Sequence, residues 1–315
     1  MALGCACVSE PAAPIAPSSA ASSSAASSED SQVTYLAIDL SVTRLAAGVV
    51  DGSGKLIVRD RVATPSRHVW PTLARLVSRV IAAAPEGARP ARCGVACPGP
   101  IDRVVGGTAS ALLPEWKGFP LRAQLEEVAG LPVAIDSVGR AFASAEAWCG
   151  RGSGLRDFVA LLVGDSVDGG VVAAGRLLDG RTGNVGQFGH VVVEPDGRSC
   201  SCGGAGCLDA YASARAIESE TNRPLRRTPP VVIETTGILL ARAIASLAAI
   251  VDTTRVFVAG SVPAALGQPL FEAMARELAA RSRLAHLAGL AVIPLPAGSG
   301  GPLVAAAAIA RSTHR

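Results

Sequence analysis

Aromatic side chains are scarce: phenylalanine, tryptophan and tyrosine together make up 3% of the 315 residues. A core of stacked rings is therefore excluded, and the 49% of hydrophobic residues must pack as aliphatic, alanine-rich layers. Lysine is scarcer still. Only Lys55 and Lys117 stand among 29 basic residues, which reads as an arginine-favouring coding bias and not as a phosphate-binding design. A net charge of +3 by itself implies neither nucleic acid nor membrane partners. No uninterrupted apolar run reaches the ~18 to 20 residues of a membrane span. The nearest, GILLARAIASLAAIVDTTRVFVAG, is broken by Arg242 and by the polar run from Asp252 to Arg255, and reads as a buried helix followed by a strand. The opening MALGCACVSE contains Leu-Gly-Cys but lacks the basic and apolar regions that precede a lipoprotein cleavage site, so a cytoplasmic protein is expected.

What is present is a regular alternation. Residues 1–33, with PAAPIAPSSAASSSAASSED, carry too little large apolar surface to fold and are expected to form a disordered tail. VTYLAIDL then reads as a strand, and AAGVVDGSGKLIVRDRVA as two more around a glycine turn. WPTLARLVSRVIAAA has helical spacing; RCGVACPGPID is a strand ending in a Pro-Gly-Pro turn; LRAQLEEVAG is a helix stopped by Gly130. LPVAID and GRAFASAEAWCG add a strand and a helix, and FVALLVGDSVDGGVVAAGRLL opens the second half with another strand pair. The alternation implies α/β layers, and the two similar openings suggest a duplicated architecture. Expected domains are an N-terminal α/β domain over 34–150 and a C-terminal one over 151–315, with the last helix packing back on the first.

Cys93, Cys97 and Cys149 sit in apolar surroundings and are expected as small core residues. The stretch GHVVVEPDGRSCSCGGAGCLDAYAS, from Gly189 to Ser213, is different. Its His190, Cys200, Cys202 and Cys207 are spaced too closely for a disulfide framework, and glycines lie at the bends where a backbone must fold around an ion. Imidazole and thiolates suit tetrahedral zinc, and four protein ligands would close the shell, making the metal structural.

This stretch resembles the signature of the ROK family of bacterial sugar kinases, sugar-responsive repressors and relatives: Glu-x-Gly-His, then Cys-x-Cys-Gly-x-x-Gly-Cys-x-Glu. LAIDLSVTR, CPGPID, LPVAIDSVGRAFASAEAW and VFVAGSV resemble the family's first phosphate loop, post-strand turn, catalytic strand and helix, and adenosine-side turn, in the same order. The resemblance implies the actin-like sugar kinase fold, a duplicated ribonuclease H-like α/β architecture with two domains flanking a cleft. It also implies a homodimer, a sugar-like ligand and, in active members, Mg²⁺ and ATP. The usual repressor domain would need a helix-turn-helix ahead of this fold, for which the serine- and proline-rich tail is too short.

Several positions depart from an active kinase. The family's base lies in Asn-Asp-x-Asn; here the sequence is Ser137-Val138-Gly139-Arg140, with valine at the aspartate position. Losing a general base costs about a hundred- to ten-thousandfold in rate. Asp136 is the candidate substitute base, although two residues earlier on a strand it lies ~6.6 Å back along the chain, at ~3.3 Å per residue. The first phosphate loop reads Asp39-Leu40-Ser41-Val42-Thr43-Arg44, the second Gly164-Asp165-Ser166-Val167-Asp168-Gly169, and the third Ala259-Gly260-Ser261. Valine replaces glycine in the first, and two carboxylates face a triphosphate in the second. On the sugar side, His190 is kept and the family's two glutamates become Gln187 and Asp209, both able to hydrogen-bond hydroxyls. The asparagine expected before the tryptophan of SALLPEWKGF is missing. The expectation is a ROK-fold protein that has lost efficient phosphotransfer and acts in ligand binding or regulation. The alternatives are an ATP-dependent kinase of glucose or N-acetylhexosamines, and an enzyme of another reaction class using Asp136, Arg140, Asp165 or Asp168.

Overall fold

The computed structural model describes residues 33–296 and 301–312, so the expected tail over 1–33 lies, but for Val33, outside the described residues. Strands β1 (Thr34–Leu40), β2 (Arg44–Asp51) and β3 (Leu56–Ala63) form an antiparallel meander. Helix α1 (Val69–Ala82) follows, burying Val69, Leu73, Leu76, Val77 and Val80 on one face. β4 (Arg92–Cys97) then pairs parallel to β1. A small hairpin of β5 (Ile101–Asp102) and β6 (Gly107–Thr108) precedes α2 (Leu121–Ala129), which ends at Gly130 with φ 64°. β7 (Val133–Ser137) completes the sheet and runs without a break into α3 (Val138–Cys149).

The second half repeats this plan. β8 (Phe158–Val163), β9 (Val167–Ala173) and β10 (Arg176–Leu177) are antiparallel neighbours. Helices α4 (Asp209–Ala212), α5 (Ala214–Thr221) and α6 (Pro230–Val251) lead to β11 (Arg255–Ala259). After α7 (Ser261–Leu266) and α8 (Gln268–Arg281) comes β12 (Ala291–Pro294), and α9 (Pro302–Ser312) ends the described chain. The strand orders are β3-β2-β1-β4-β7 and β10-β9-β8-β11-β12, the same topology twice, with three antiparallel strands followed by parallel ones in each sheet. The expected duplication is thus present in the architecture.

Helices α3 and α9 make the layer between the sheets. α9 lies on β1 and β4, α3 lies on β8 and β9, and the two helices pack on each other. Small residues let the backbones approach. A Cβ on Gly94 of β4 would lie 1.9 Å from the carbonyl oxygen of Ala306 in α9. A Cβ on Gly139 of α3 would lie 2.1 Å from the Gly169 nitrogen on β9. One of the chain's principal clusters accordingly joins Tyr35, Ala37, Ala46, Val50 and Ala96 to the alanine face of α9.

Two expectations need comment. α6 has 22 residues and is long and apolar enough by composition to cross a membrane, yet half of its most apolar window is buried, with Leu240, Ala243 and Ile244 inside the second core and α8 packed alongside. Its apolarity is that of a core helix. Cys93 and Cys97 are buried in β4, whereas Cys149 is exposed, because it closes α3 at the protein surface and not within the helix pair.

The α9 contact predicts that Gly94→Ala destabilises the fold by ~2–3 kcal/mol, the cost of forcing extra volume into a packed layer. The urea midpoint of the variant measures this, and an unchanged midpoint would contradict the tight strand–helix approach.

Candidate functional site

The loops after β1, β4, β8 and β11 and the start of α3 after β7 lie at the carboxyl ends of the strands, the usual ligand position in an α/β crevice. Gly99 meets Gln187 across the two halves, and the other turns close within each half. A Cβ on Gly99 would lie 2.7 Å from the Gln187 Nε2 and 3.1 Å from the Ser137 Cβ, and one on Gly164 would lie 3.7 Å from the Ser261 Oγ.

The centre of the crevice is the start of α3. Ser137 caps the helix, its Oγ accepting from the Arg140 N–H at 3.3 Å, and half-buried Val138 is the first helical residue. Asp136 is buried just before it. Its Oδ1 accepts from the Arg140 Nε at 2.8 Å and from the Ser137 N–H at 2.8 Å, and the Arg103 guanidinium lies 3.9 Å from its Oδ2. Burial pushes the Asp136 carboxyl above its ordinary value, with the Arg140 guanidinium pulling the other way. Arg140 is itself 1% exposed and also pairs with Asp179 at 2.5 Å.

Asp168, on β9, reaches the same helix start from the other half. One carboxylate oxygen accepts from the Gly139 N–H at 3.1 Å, the other from the Gly169 N–H at 2.8 Å and from the Gln187 Nε2 at 3.2 Å, while Ser137 adds a side-chain hydrogen bond. Burial raises its pKa from 3.8 to about 6 against those donors. The substitutions at 168 and 187 are coupled physically, since a glutamate at 187 would face a buried carboxylate, whereas the glutamine amide donates to it.

The three phosphate-loop positions are now placed. Asp39 is buried near the end of β1, 3.5 Å from the Arg44 guanidinium, and burial raises its pKa to about 6. Thr43 is exposed beside Val42, which is 41% exposed at the turn. Gly164 and Asp165 form the β8–β9 turn, with the Asp165 carbonyl accepting from the Arg215 Nε at 2.8 Å. Gly260 has φ 120°, and a Cβ there would lie 2.2 Å from the Val163 carbonyl oxygen, so only glycine fits. Of the sugar-side residues, Gln187 is half-buried, His190 exposed, and Asp209 buried. Asp209 is already engaged: its Oδ1 accepts from the Val167 N–H at 2.8 Å and its Oδ2 pairs with Arg215 at 3.4 Å. Arg103, Asp179, Asn184 and Arg215 were not singled out from the sequence, because isolated charged residues in loops carry no spacing signal.

Beside the crevice, the His190, Cys200, Cys202 and Cys207 donor atoms all lie within 4.8 Å of one another. The Cys202 and Cys207 sulfurs are 3.8 Å apart, and the His190 Nδ1 is 3.7 Å from the Cys200 Sγ. A tetrahedral shell with Zn–S bonds of ~2.3 Å separates its sulfurs by ~3.8 Å, so the set fits zinc. Glycine makes the bends: Gly203 has φ 93°, and a Cβ on Gly206 would lie 1.9 Å from the Glu194 carbonyl oxygen. Four donors would hold the ion with a purely structural role, fixing the loop next to Asp209.

The sequence profile of the ROK family matches residues 35–312, and the chain belongs to that family. It is 37% identical over 187 residues to a glucokinase of Thermotoga maritima, spanning about three fifths of each chain (59%). It is 33% identical over 254 residues to an N-acetylmannosamine kinase of Shigella flexneri, spanning 75% of this chain and 85% of the relative. Among solved structures, the ROK hexokinase of Thermus thermophilus superposes with a TM-score of 0.75 at 28% identity, covering 90% of this chain and 99% of that one. The fold is therefore the actin-like fold of ROK sugar kinases, and the chain is sugar-kinase-like.

Two outcomes follow. Purified protein should contain one zinc per chain, with Cys200→Ser lowering both the metal content and the thermal midpoint, since metal affinity at such a site contributes to folding; metal analysis without zinc would remove the site. The second concerns pH. Asp168 titrates near 6 when folded against 3.8 when unfolded, so between those values the folded chain holds the extra proton. Stability from this group is greatest below 3.8 and falls as pH rises to about 6. Wild type should thus lose stability relative to Asp168→Asn across that window and level off above it; denaturation at several pH values tests the sign.

Proposed function

We propose that this chain is a ROK-family carbohydrate-binding protein in which efficient phosphotransfer has been lost, and that it works by ligand binding or regulation. The observation that carries this reading is that the first residue of α3, where the family carries its base, is Val138 and holds no carboxylate. Val138 stands first in the helix, Asp136 is held by Arg140 at 2.8 Å, and the Asp168 carboxylate is filled by the Gly139, Gly169, Gln187 and Ser137 donors. A base must accept a proton from the attacking hydroxyl through a lone pair that is not already committed, which Asp168 does not offer; the Asp136 Oδ2 is open, but it belongs to β7, two residues before the family's base position. The side chain of Val42 in the first loop and the Asp165 carboxylate in the second also oppose close approach of a triphosphate. The half-buried Gln187 and exposed His190 keep a hydrogen-bonding surface suited to hydroxyls.

A second reading has one observation in its favour. Asp168, raised to about 6, lies against the Gly139 N–H, one residue beyond the position where the family carries its base. In that reading Asp168 takes the hydroxyl proton, Mg²⁺ and ATP are required, and the substrate is glucose or an N-acetylhexosamine, as in the relatives that bear those names.

ADP release with Mg-ATP across hexoses and N-acetylhexosamines separates the two. The lost-kinase reading expects no sugar-dependent turnover and no ATP binding. The kinase reading expects turnover that falls at least about a hundredfold in Asp168→Asn.

A further inference from the structure

The segment from Leu178 to Gln187, which leaves β10 and delivers Gln187 to the crevice, crosses from the second sheet to the separate β5–β6 hairpin of the first half. It is attached there at two kinds of place. The root is held by a buried cation on α3: Arg140 donates to the carbonyls of Leu178 and Val185 and pairs with Asp179 at 2.5 Å, with Asp136 at 2.8 Å on its other side. Breaking such a root would strand a charge inside the protein, which is strongly unfavourable.

The tip is held from outside. The Asn184 Oδ1 accepts from the Ile101 N–H at 2.7 Å and its Nδ2 donates to the Ile101 carbonyl at 3.0 Å, so one side-chain amide satisfies both main-chain groups of a residue in the other half. The Arg103 Nη2 donates to Asp179 at 3.2 Å and to the Gly183 carbonyl at 3.4 Å. Its guanidinium lies against Gly183, where a Cβ would come 1.9 Å from the Arg103 Nε. The Arg103 and Asp179 side chains are 43% and 62% exposed. Exposed ion pairs contribute little and are screened by salt, and water can replace an amide pairing of this kind.

We infer that residues 178–187 form a strap with a fixed root and a releasable tip at Gly183 and Asn184, latched to Ile101 and Arg103, and that release of the tip opens the crevice between the strap and the β5–β6 hairpin. The inference depends on neither functional reading. It places control of ligand access in a contact between the two halves.

Amide hydrogen exchange on the full chain tests it. In Asn184→Ala, exchange should rise about tenfold at Ile101, through the strap, and at the crevice floor behind it, Ser137 to Arg140. In wild type, 0.5 M salt should raise strap exchange toward the level of Arg103→Ala, and should leave that variant unchanged. Strap exchange that is insensitive to both variants and to salt would overturn the latch. Faster strap exchange with an unchanged floor would overturn its role as a gate. The salt series on wild type keeps the test decisive should either variant fold poorly.

Discussion

The backbone contact between Gly139 and Gly169 is the constraint from which the crevice follows. The first turn of α3 presses on β9 so closely that Gly139 cannot carry a side chain, a Cβ there lying 2.1 Å from the Gly169 nitrogen. That closeness brings Asp136, Ser137, Val138 and Arg140 from one half within reach of Asp168 and Gln187 from the other. A helix start presents unsatisfied N–H groups. Here one of them, on Gly139, is taken by the protein's own Asp168 carboxylate.

Burying this much charge has a cost that the surrounding hydrogen bonds only partly offset. Asp39 and Asp168 are both raised to about 6 by desolvation, each against favourable partners. Arg140, almost wholly inaccessible, is tolerated because two carboxylates and two carbonyls receive its donors. A core built for stability alone would place apolar residues there. The charges instead fix where a loop goes, as Arg140 does for the segment leading to Gln187.

Much of the fold was legible in the sequence. The strand meander, the Gly130 stop, the β7–α3 passage and the zinc-ligand spacing each carry a local signal, either a period or a turn residue, and the motif order carried the family. What escaped were long-range partners. Nothing near Arg103 in the sequence announces Asp179 or Gly183, some 80 residues away, and Asn184 reads as an ordinary loop residue until Ile101 is set against it. Cys149 was misjudged for a related reason: an apolar neighbourhood in sequence does not say which end of a helix meets solvent. The departures at 138, 168 and 187 were visible singly. Only their meeting at one helix start shows that a glutamine at 187 accommodates a carboxylate at 168.

The position of α9 has a consequence for biosynthesis. Tyr35, Ala37, Ala46, Val50 and Ala96 belong to the first half of the chain, but the cluster that covers them is completed by residues 303–310. As the chain emerges from the ribosome, β1, β2 and β4 present that apolar face with only α3 residues such as Ala141, Ala145 and Trp148 against it until α9 arrives. At ~5–20 residues per second, the ~150 residues between α3 and α9 keep it partly uncovered for roughly eight to thirty seconds. The first half therefore completes its packing only after α9 is made, and the nascent chain is exposed to aggregation, and to chaperones, through that interval.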